Sequence, residues 1–298
     1  MDSLRRGWAR IFRRRAPAAR DMAKTAPLDP HVGTGQPDRR VRRHAIIGTA
    51  NSVGVERSHN EDALVVLTGS FAGQESLPDF GLFVIADGMG GHRSGEVASS
   101  LSVRTVARRL TEQTVLRLFD LEPREDLNPL QDLVRHALEE ANQTVVSRVP
   151  GGGTTLTAAV VLGEQMTIGH VGDSRAYVIR NGETKVITRD HSLVERLREL
   201  GQLTEEEAAS HPQRNVLYRA IGQGANLEVD VFTLPVPRGG SLLMCSDGLW
   251  GVVPDSEILR IVVDAPDPQA ACDELIRAAN SAGGPDNITA VLVHFPSE

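Results

Sequence analysis

Two strand-like runs of this sequence end in the same way. Residues 81–91, GLFVIADGMGG, carry an apolar run into Asp87 and Gly88, and residues 241–250, SLLMCSDGLW, carry Leu242, Leu243 and Met244 into Asp247 and Gly248. Asp-Gly suits the positive-φ positions of tight turns, so either ending alone reads as a turn. The pair permits a second reading, in which buried strands bring two carboxylates side by side and a cation offsets their repulsion. Further acidic residues flank strand-like runs: Glu61 and Asp62 in NEDALVV, Asp173 in HVGDSRAYV and Asp286 in GGPDNITAVLV. Strand ends in one layer converge on one rim of a sheet, so groups far apart in sequence can share a site.

An oxygen-only donor set, with no Cys or His pairs at zinc spacing, points to Mg²⁺ or Mn²⁺. Two such ions, about 3.5 to 4 Å apart, can hold a bridging water, lower its pKa and direct it at phosphorus or carbonyl carbon. Gly88 would let a backbone carbonyl approach a metal that a bulkier residue would obstruct. A phosphate substrate also calls for a fixed cationic fork, and Arg57 in VERSHNED stands next to the Glu61–Asp62 pair. Guanidinium offers bidentate geometry to phosphate oxygens; taken alone, Arg57 reads more readily as a solvated arginine, but it does not stand alone.

The elements that must position these residues follow from hydrophobic periodicity. HAIIGTA, DALVVL and GLFVIA read as short strands. A helix is expected from about residue 94 to 119 on the spacing of Val103, Val106 and Leu110, and a second from about 129 with Leu130, Val134, Leu138, Ala141 and Val145 on one face. After the break PGGG come TTLTAAVVL, QMTIGHV, SRAYVIR and ETKVIT, the last two joined by Asn181-Gly182, a strong hairpin signal. LEVDVFTL, GSLLMCS and NITAVLVHF supply further strands, with helices around 254–263 and 268–281 between the last two. Antiparallel groups interleaved with helix pairs imply an α+β fold with two sheets packed face to face and covered by helices.

Charge divides the chain. Residues 1–43 hold 12 Lys and Arg against 4 Asp and Glu, while the remainder holds 20 against 35. The domain boundary is therefore expected near His44, with a basic, disordered tail and linker over 1–43 and one catalytic domain over 44–298. An acidic body argues against non-specific nucleic-acid binding, because phosphate neutralisation needs a basic face. In the tail, LRRGWARIFRRR sets Leu4, Trp8, Ile11 and Phe12 at helical spacing among arginines, which suits weak contact with an anionic membrane surface as well as a solvated arm or an organellar transit peptide. No run approaches the roughly 18 to 20 apolar residues of a membrane span. Two cysteines, Cys245 and Cys272, are too few for a disulfide framework and fit a reducing, cytoplasmic setting.

The ordered set GVERSHNED, ADGMGGHRSGEVAS, GGGTTLTAAV, GHVGDSRAYVIR, TRDHSLV, NVLYRAIG, CSDGLW and GGPDNITAV resembles the metal-dependent protein phosphatase family of the 2C type in its bacterial form, over about residues 44–295. The resemblance implies a four-layer α-β-β-α sandwich and a serine/threonine phosphoprotein phosphatase using a metal-activated bridging water, with no covalent intermediate. It also implies that Asp62, Asp87, Asp247 and Asp286, with the Gly88 carbonyl, hold two Mn²⁺ or Mg²⁺ ions, that Glu61 binds a metal-coordinated water, that Asp173 helps hold a third ion, and that Arg57 holds the substrate phosphate. Expected partners are phosphorylated proteins, a eukaryotic-like Ser/Thr kinase among them. Residues 191–222 resemble the family's flap. Met89 stands where animal relatives often carry His, which leaves leaving-group protonation to a metal-bound water, His59 or His92, and Tyr218 stands where many bacterial relatives carry Thr. A phosphatase-like binding module would lack a metal aspartate, and none is missing.

Overall fold

A computed structural model describes residues 44–70, 77–90, 93–119 and 129–297. The expectations for the tail, residues 1–43, and for His92 fall outside the described residues.

Sheet order follows from which strands must be buried on both faces. One sheet runs β1(Ile46–Ser52), β12(Ile288–Phe295), β11(Gly240–Cys245), β8(Arg175–Arg180), β9(Glu183–Val186). The other runs β10(Asp230–Pro235), β7(Gln165–Val171), β6(Leu156–Leu162), β3(Phe80–Ala86), β2(Ala63–Gly69). Every pairing within them is antiparallel. The continuous apolar runs of β3 and β11 belong to interior strands, whose residues alternate between two buried faces. Leu82, Val84 and Ala86 pack beneath α1(Arg93–Leu110) and α2(Leu130–Arg148), while Phe83 and Ile85 turn inward against Leu242, Met244, Val291 and Val293 of the facing sheet. On that sheet's outer face Leu243, Cys245, Ala290 and Leu292 pack under α6(Asp255–Asp264) and α7(Pro268–Ser281). Helix, sheet, sheet and helix thus form the four expected layers.

Asn181 and Gly182 adopt φ of 55° and 75° and join β8 to β9 with Arg180 opposite Glu183, which is the hairpin their sequence demands. The long helix from 94 to 119 needs correction. Its α-helical part ends at Leu110, followed by a π-helical turn over Thr111–Val115 and a 3₁₀ turn over Leu116–Phe119. The Leu116 N–H donates to the Thr111 carbonyl, five residues back, as a π turn requires. The strand expected at 227–234 is also displaced and occupies 230–235. Short connections complete the rim: β4(Gly88–Met89) pairs with β5(Gly153–Thr154). Within 191–222 lie α3(Leu193–Glu199), capped by Ser192, and α4(Glu205–Ala209), held by a Thr204–Glu207 capping box. Among the described residues no helix is long and apolar enough to cross a membrane.

Candidate functional site

The five aspartates singled out by sequence lie at strand ends on one rim. Asp62 precedes β2, Asp87 follows β3, Asp173 follows β7, Asp247 follows β11 at the head of α5(Asp247–Trp250), and Asp286 precedes β12. Antiparallel order makes this possible, because a strand's start and its neighbour's end share a rim. Their electrostatics tie them together. Burial pushes the Asp62 carboxyl up to about 7, helped by Asp247 and Asp286 and opposed by two hydroxyl donors. Asp247 is pushed up to about 6 by burial and then by Asp286. Asp87 rises through burial and the charges of Asp62, Asp247, Asp173 and Asp286, and Asp173 through burial and then Asp247. Among the described residues no three His, Cys, Asp or Glu side chains already close on one point at metal-ligand spacing; within the group Asp87 and Asp247 share a hydrogen bond.

Two observations bear on whether a cation fits there. Asp62 Oδ1 and Asp247 Oδ1 are buried without a hydrogen-bond partner, and a buried carboxylate oxygen with neither donor nor cation is costly. Gly88 has no room for a side chain: a Cβ would lie 2.5 Å from the Gly95 carbonyl oxygen and 2.6 Å from that of Glu61. An all-oxygen set of several carboxylates and a backbone carbonyl matches hard divalent cations. The residues present therefore fit Mn²⁺ or Mg²⁺.

Residues that sequence reasoning missed hold the carboxylates in place. Asn287 is the hub: its Oδ1 accepts from Glu61 N at 2.7 Å, and its Nδ2 donates to the carbonyls of Val53 and His59 at 2.9 and 2.8 Å. One amide thus ties the loop before Asp62 to the head of β12. Thr155 Oγ1 accepts from Asp87 N at 2.9 Å and contacts Ser174 Oγ at 2.8 Å. Trp250 Nε1 donates to the Asp173 carbonyl at 3.0 Å, and the Arg175 guanidinium stacks 3.6 Å from the Trp250 ring while pairing with Asp190 at 2.8 Å. All of these stand inside the motifs quoted above, but their types are common, and only the fold shows what they touch.

Glu61 lies beside the first turn of α1, where a Cβ on Gly95 would meet Glu61 Oε2 at 2.0 Å. Arg57, half exposed, is brought to the edge of the group, with Nη2 donating to Asp286 Oδ2 at 2.7 Å and Nε to the Pro285 carbonyl at 3.4 Å. His59 is exposed. Met89 pairs with Gly153, and Tyr218, 42% exposed, rests its ring 5.7 Å from His191. His191 joins residues 191–222 to the strand end before Asp173: its N–H donates to the Gly172 carbonyl at 2.7 Å, and its Nδ1 accepts from Gly172 N at 3.1 Å.

Comparison with known proteins gives this geometry a context. The protein phosphatase 2C family profile matches residues 56–292. The chain is 38% identical over 243 residues to the serine/threonine phosphatase stp of Listeria monocytogenes, covering 80% of this chain and 90% of that protein. Its fold is similar to the crystal structure of the Mycobacterium tuberculosis serine/threonine phosphatase PstP/Ppp, with a TM-score of 0.70 and 32% identity, over 85% of this chain and 99% of that one. It is likewise similar to the catalytic domain of PstP in complex with two manganese ions, with a TM-score of 0.66 and 32% identity, over 84% of this chain and 99% of that one.

Proposed function

The chain belongs to the protein phosphatase 2C family and is a protein-serine/threonine phosphatase, and from that premise we propose which residues do the work. Asp62, Asp87, Asp247 and Asp286, with the Gly88 carbonyl, hold two Mn²⁺ or Mg²⁺ ions; Glu61 serves the same site from its edge, and Asp173 helps hold a third ion. When bound, such a pair supplies a water of lowered pKa as nucleophile and screens the phosphoryl charge. The observation that carries this reading is the pair of buried, unpartnered oxygens, Asp62 Oδ1 and Asp247 Oδ1, among carboxylates that raise one another's pKa.

Arg57 orients the substrate phosphate. Its guanidinium has five N–H donors, and its bonds to Asp286 and Pro285 engage Nη2 and Nε, so it can turn from a carboxylate to a phosphate of the same bidentate geometry. No covalent phosphoenzyme is required. The hydroxyls nearest the carboxylates are committed elsewhere: Ser246 and Thr289 both donate to Asp62, and Ser174 is bonded to Thr155. Catalysis then rests on positioning and electrostatics, as phosphoryl transfer generally does. The substrates are phosphorylated proteins, including a eukaryotic-like Ser/Thr kinase.

The test is phosphate release from a phosphothreonine peptide by the full chain in Mn²⁺, in Mg²⁺ and in chelator. Release with either metal and none in chelator is expected; undiminished release in chelator would sink the metal reading.

A further inference from the structure

The two oxygens of Asp62 are treated in opposite ways. Oδ2 accepts the Ser246 hydroxyl at 2.9 Å and the Thr289 hydroxyl at 2.7 Å. Oδ1 is buried and accepts nothing. Backbone groups of the two strands hold the hydroxyls beside Asp62. Thr289 N, which can only donate, gives its proton to Ser246 Oγ at 2.9 Å, and Ser246 N donates to the Thr289 carbonyl at 3.1 Å. Ser246 keeps its own proton to donate, and Asp62 at 2.9 Å is a nearer acceptor than the Asn287 carbonyl, 3.4 Å away. Both hydroxyl residues are almost fully buried, 2% and 1% exposed, so neither exchanges its partner for water.

The placement reaches across the sandwich. Asp62 precedes β2 in one sheet, while Ser246 follows β11 and Thr289 lies on β12 in the other. Ser246 is the residue before Asp247, and Thr289 stands three residues after Asp286. The clamp therefore ties the carboxylate contributed by one sheet to the two strands that carry its counterparts in the other.

We propose that Ser246 and Thr289 are positioning residues that hold Asp62 in one orientation, occupying Oδ2 so that Oδ1 alone is presented to the metal. This rests on the metal reading given above. Outer-shell donors to a ligating carboxylate fix its angle, and their loss weakens metal binding even though they never touch the ion. A purely structural role, in which the hydroxyls merely satisfy a buried acid, makes a different prediction: it would alter stability with or without metal and leave Mn²⁺ affinity alone.

The experiment compares the full chain with Thr289→Val, which keeps the shape and removes the hydroxyl, Thr289→Ser, which keeps the hydroxyl, and Ser246→Ala. Mn²⁺ binding is read by titration calorimetry, and peptide turnover is followed across Mn²⁺ concentrations. Thr289→Val and Ser246→Ala are each expected to weaken Mn²⁺ binding roughly 10- to 100-fold, with the peptide KM unchanged and Thr289→Ser close to wild type. Wild-type binding alongside equally tight binding by Thr289→Val or by Ser246→Ala would overturn the clamp alone. Loss of affinity in Thr289→Ser equal to that in Thr289→Val would overturn it too, because packing and not the hydroxyl would then be responsible. Should Thr289→Val not fold, Ser246→Ala carries the test. A wild-type chain that binds no Mn²⁺ would overturn the metal reading and the clamp with it.

Discussion

The same strands finish very differently at the two ends of the sandwich. β3 spans Phe80 to Ala86, roughly 20 Å at the usual rise per residue. Its Ala86 end delivers Asp87 to the carboxylate rim, and its Phe80 end, with Phe83, Val161, Val236 and Phe295, lines a cavity of about 260 Å³. β12 repeats the contrast, with Asp286 just before one end and Phe295 at the other. Between the ends lies one continuous inter-sheet core. One rim buries like charges, which costs stability, and the other closes on aromatic rings beside pairs of opposite charge, His44 with Asp79 and Arg238 with Glu164. On the proposed reading stability and function are separated along the strand axis, and substitutions at the two ends should act on different observables.

The largest expected effect is on turnover at the carboxylate rim. On the proposed reading, Asp247→Asn loosens the hold on a metal whose charge is worth several kcal/mol to the transition state, which corresponds to a fall of about 10³-fold or more in kcat/KM. Gly88→Ala comes next. Its Cβ would press against two carbonyl oxygens, so both turnover and stability should fall, with turnover down about 10²-fold for a displacement near 1 Å; normal kinetics would show that the rim yields.

At the opposite rim Phe295→Ala should do the reverse. Removing a buried ring costs about 3 kcal/mol or more, a drop of several degrees in Tm, while the rate per folded molecule in Mn²⁺ stays at the wild-type value. A parallel loss of specific activity would erase the distinction between the ends.

The smallest effect concerns pH. Burial, and after it the charge of neighbouring His170, pushes His191 down to about 4. His191 also faces Asp230 at 3.3 Å and Arg219 at 3.2 Å. The unfolded imidazole, with its ordinary value near 6.5, binds more protons than the folded one between those two pH values. This contribution is therefore complete above pH 6.5 and is lost as pH falls toward 4. Thermal unfolding of wild type beside His191→Gln, both in chelator, should show a gap at pH 7 that narrows by pH 5. A constant gap would mean that the ring titrates normally.

Much of the fold and the outline of the site are legible in the sequence itself. The alternation in β3 and β11, the Asn181-Gly182 hairpin and the strand-end aspartates are local signals, since a strand's period and a turn's φ are set by neighbours in sequence. The supports of the site are a different matter. Ser246 and Thr289 reach Asp62 across 184 and 227 residues of chain, and Asn287 reaches Glu61 across 226. A serine or an asparagine carries no mark of such a partner. The π turn at Thr111 is hidden for a related reason: the apolar spacing continues through it, and the break shows only in the backbone bond from Leu116 N to the Thr111 carbonyl.

One measurement tests the account most directly: Asp247→Asn, followed by thermal unfolding in chelator and by phosphate release in Mn²⁺. Removing one of several mutually repelling buried charges should raise the metal-free Tm by a few degrees while turnover falls about 10³-fold or more. A variant that turns over phosphopeptide like wild type, or one whose metal-free form is less stable than wild type, would contradict the claim that this rim holds buried charge for a metal.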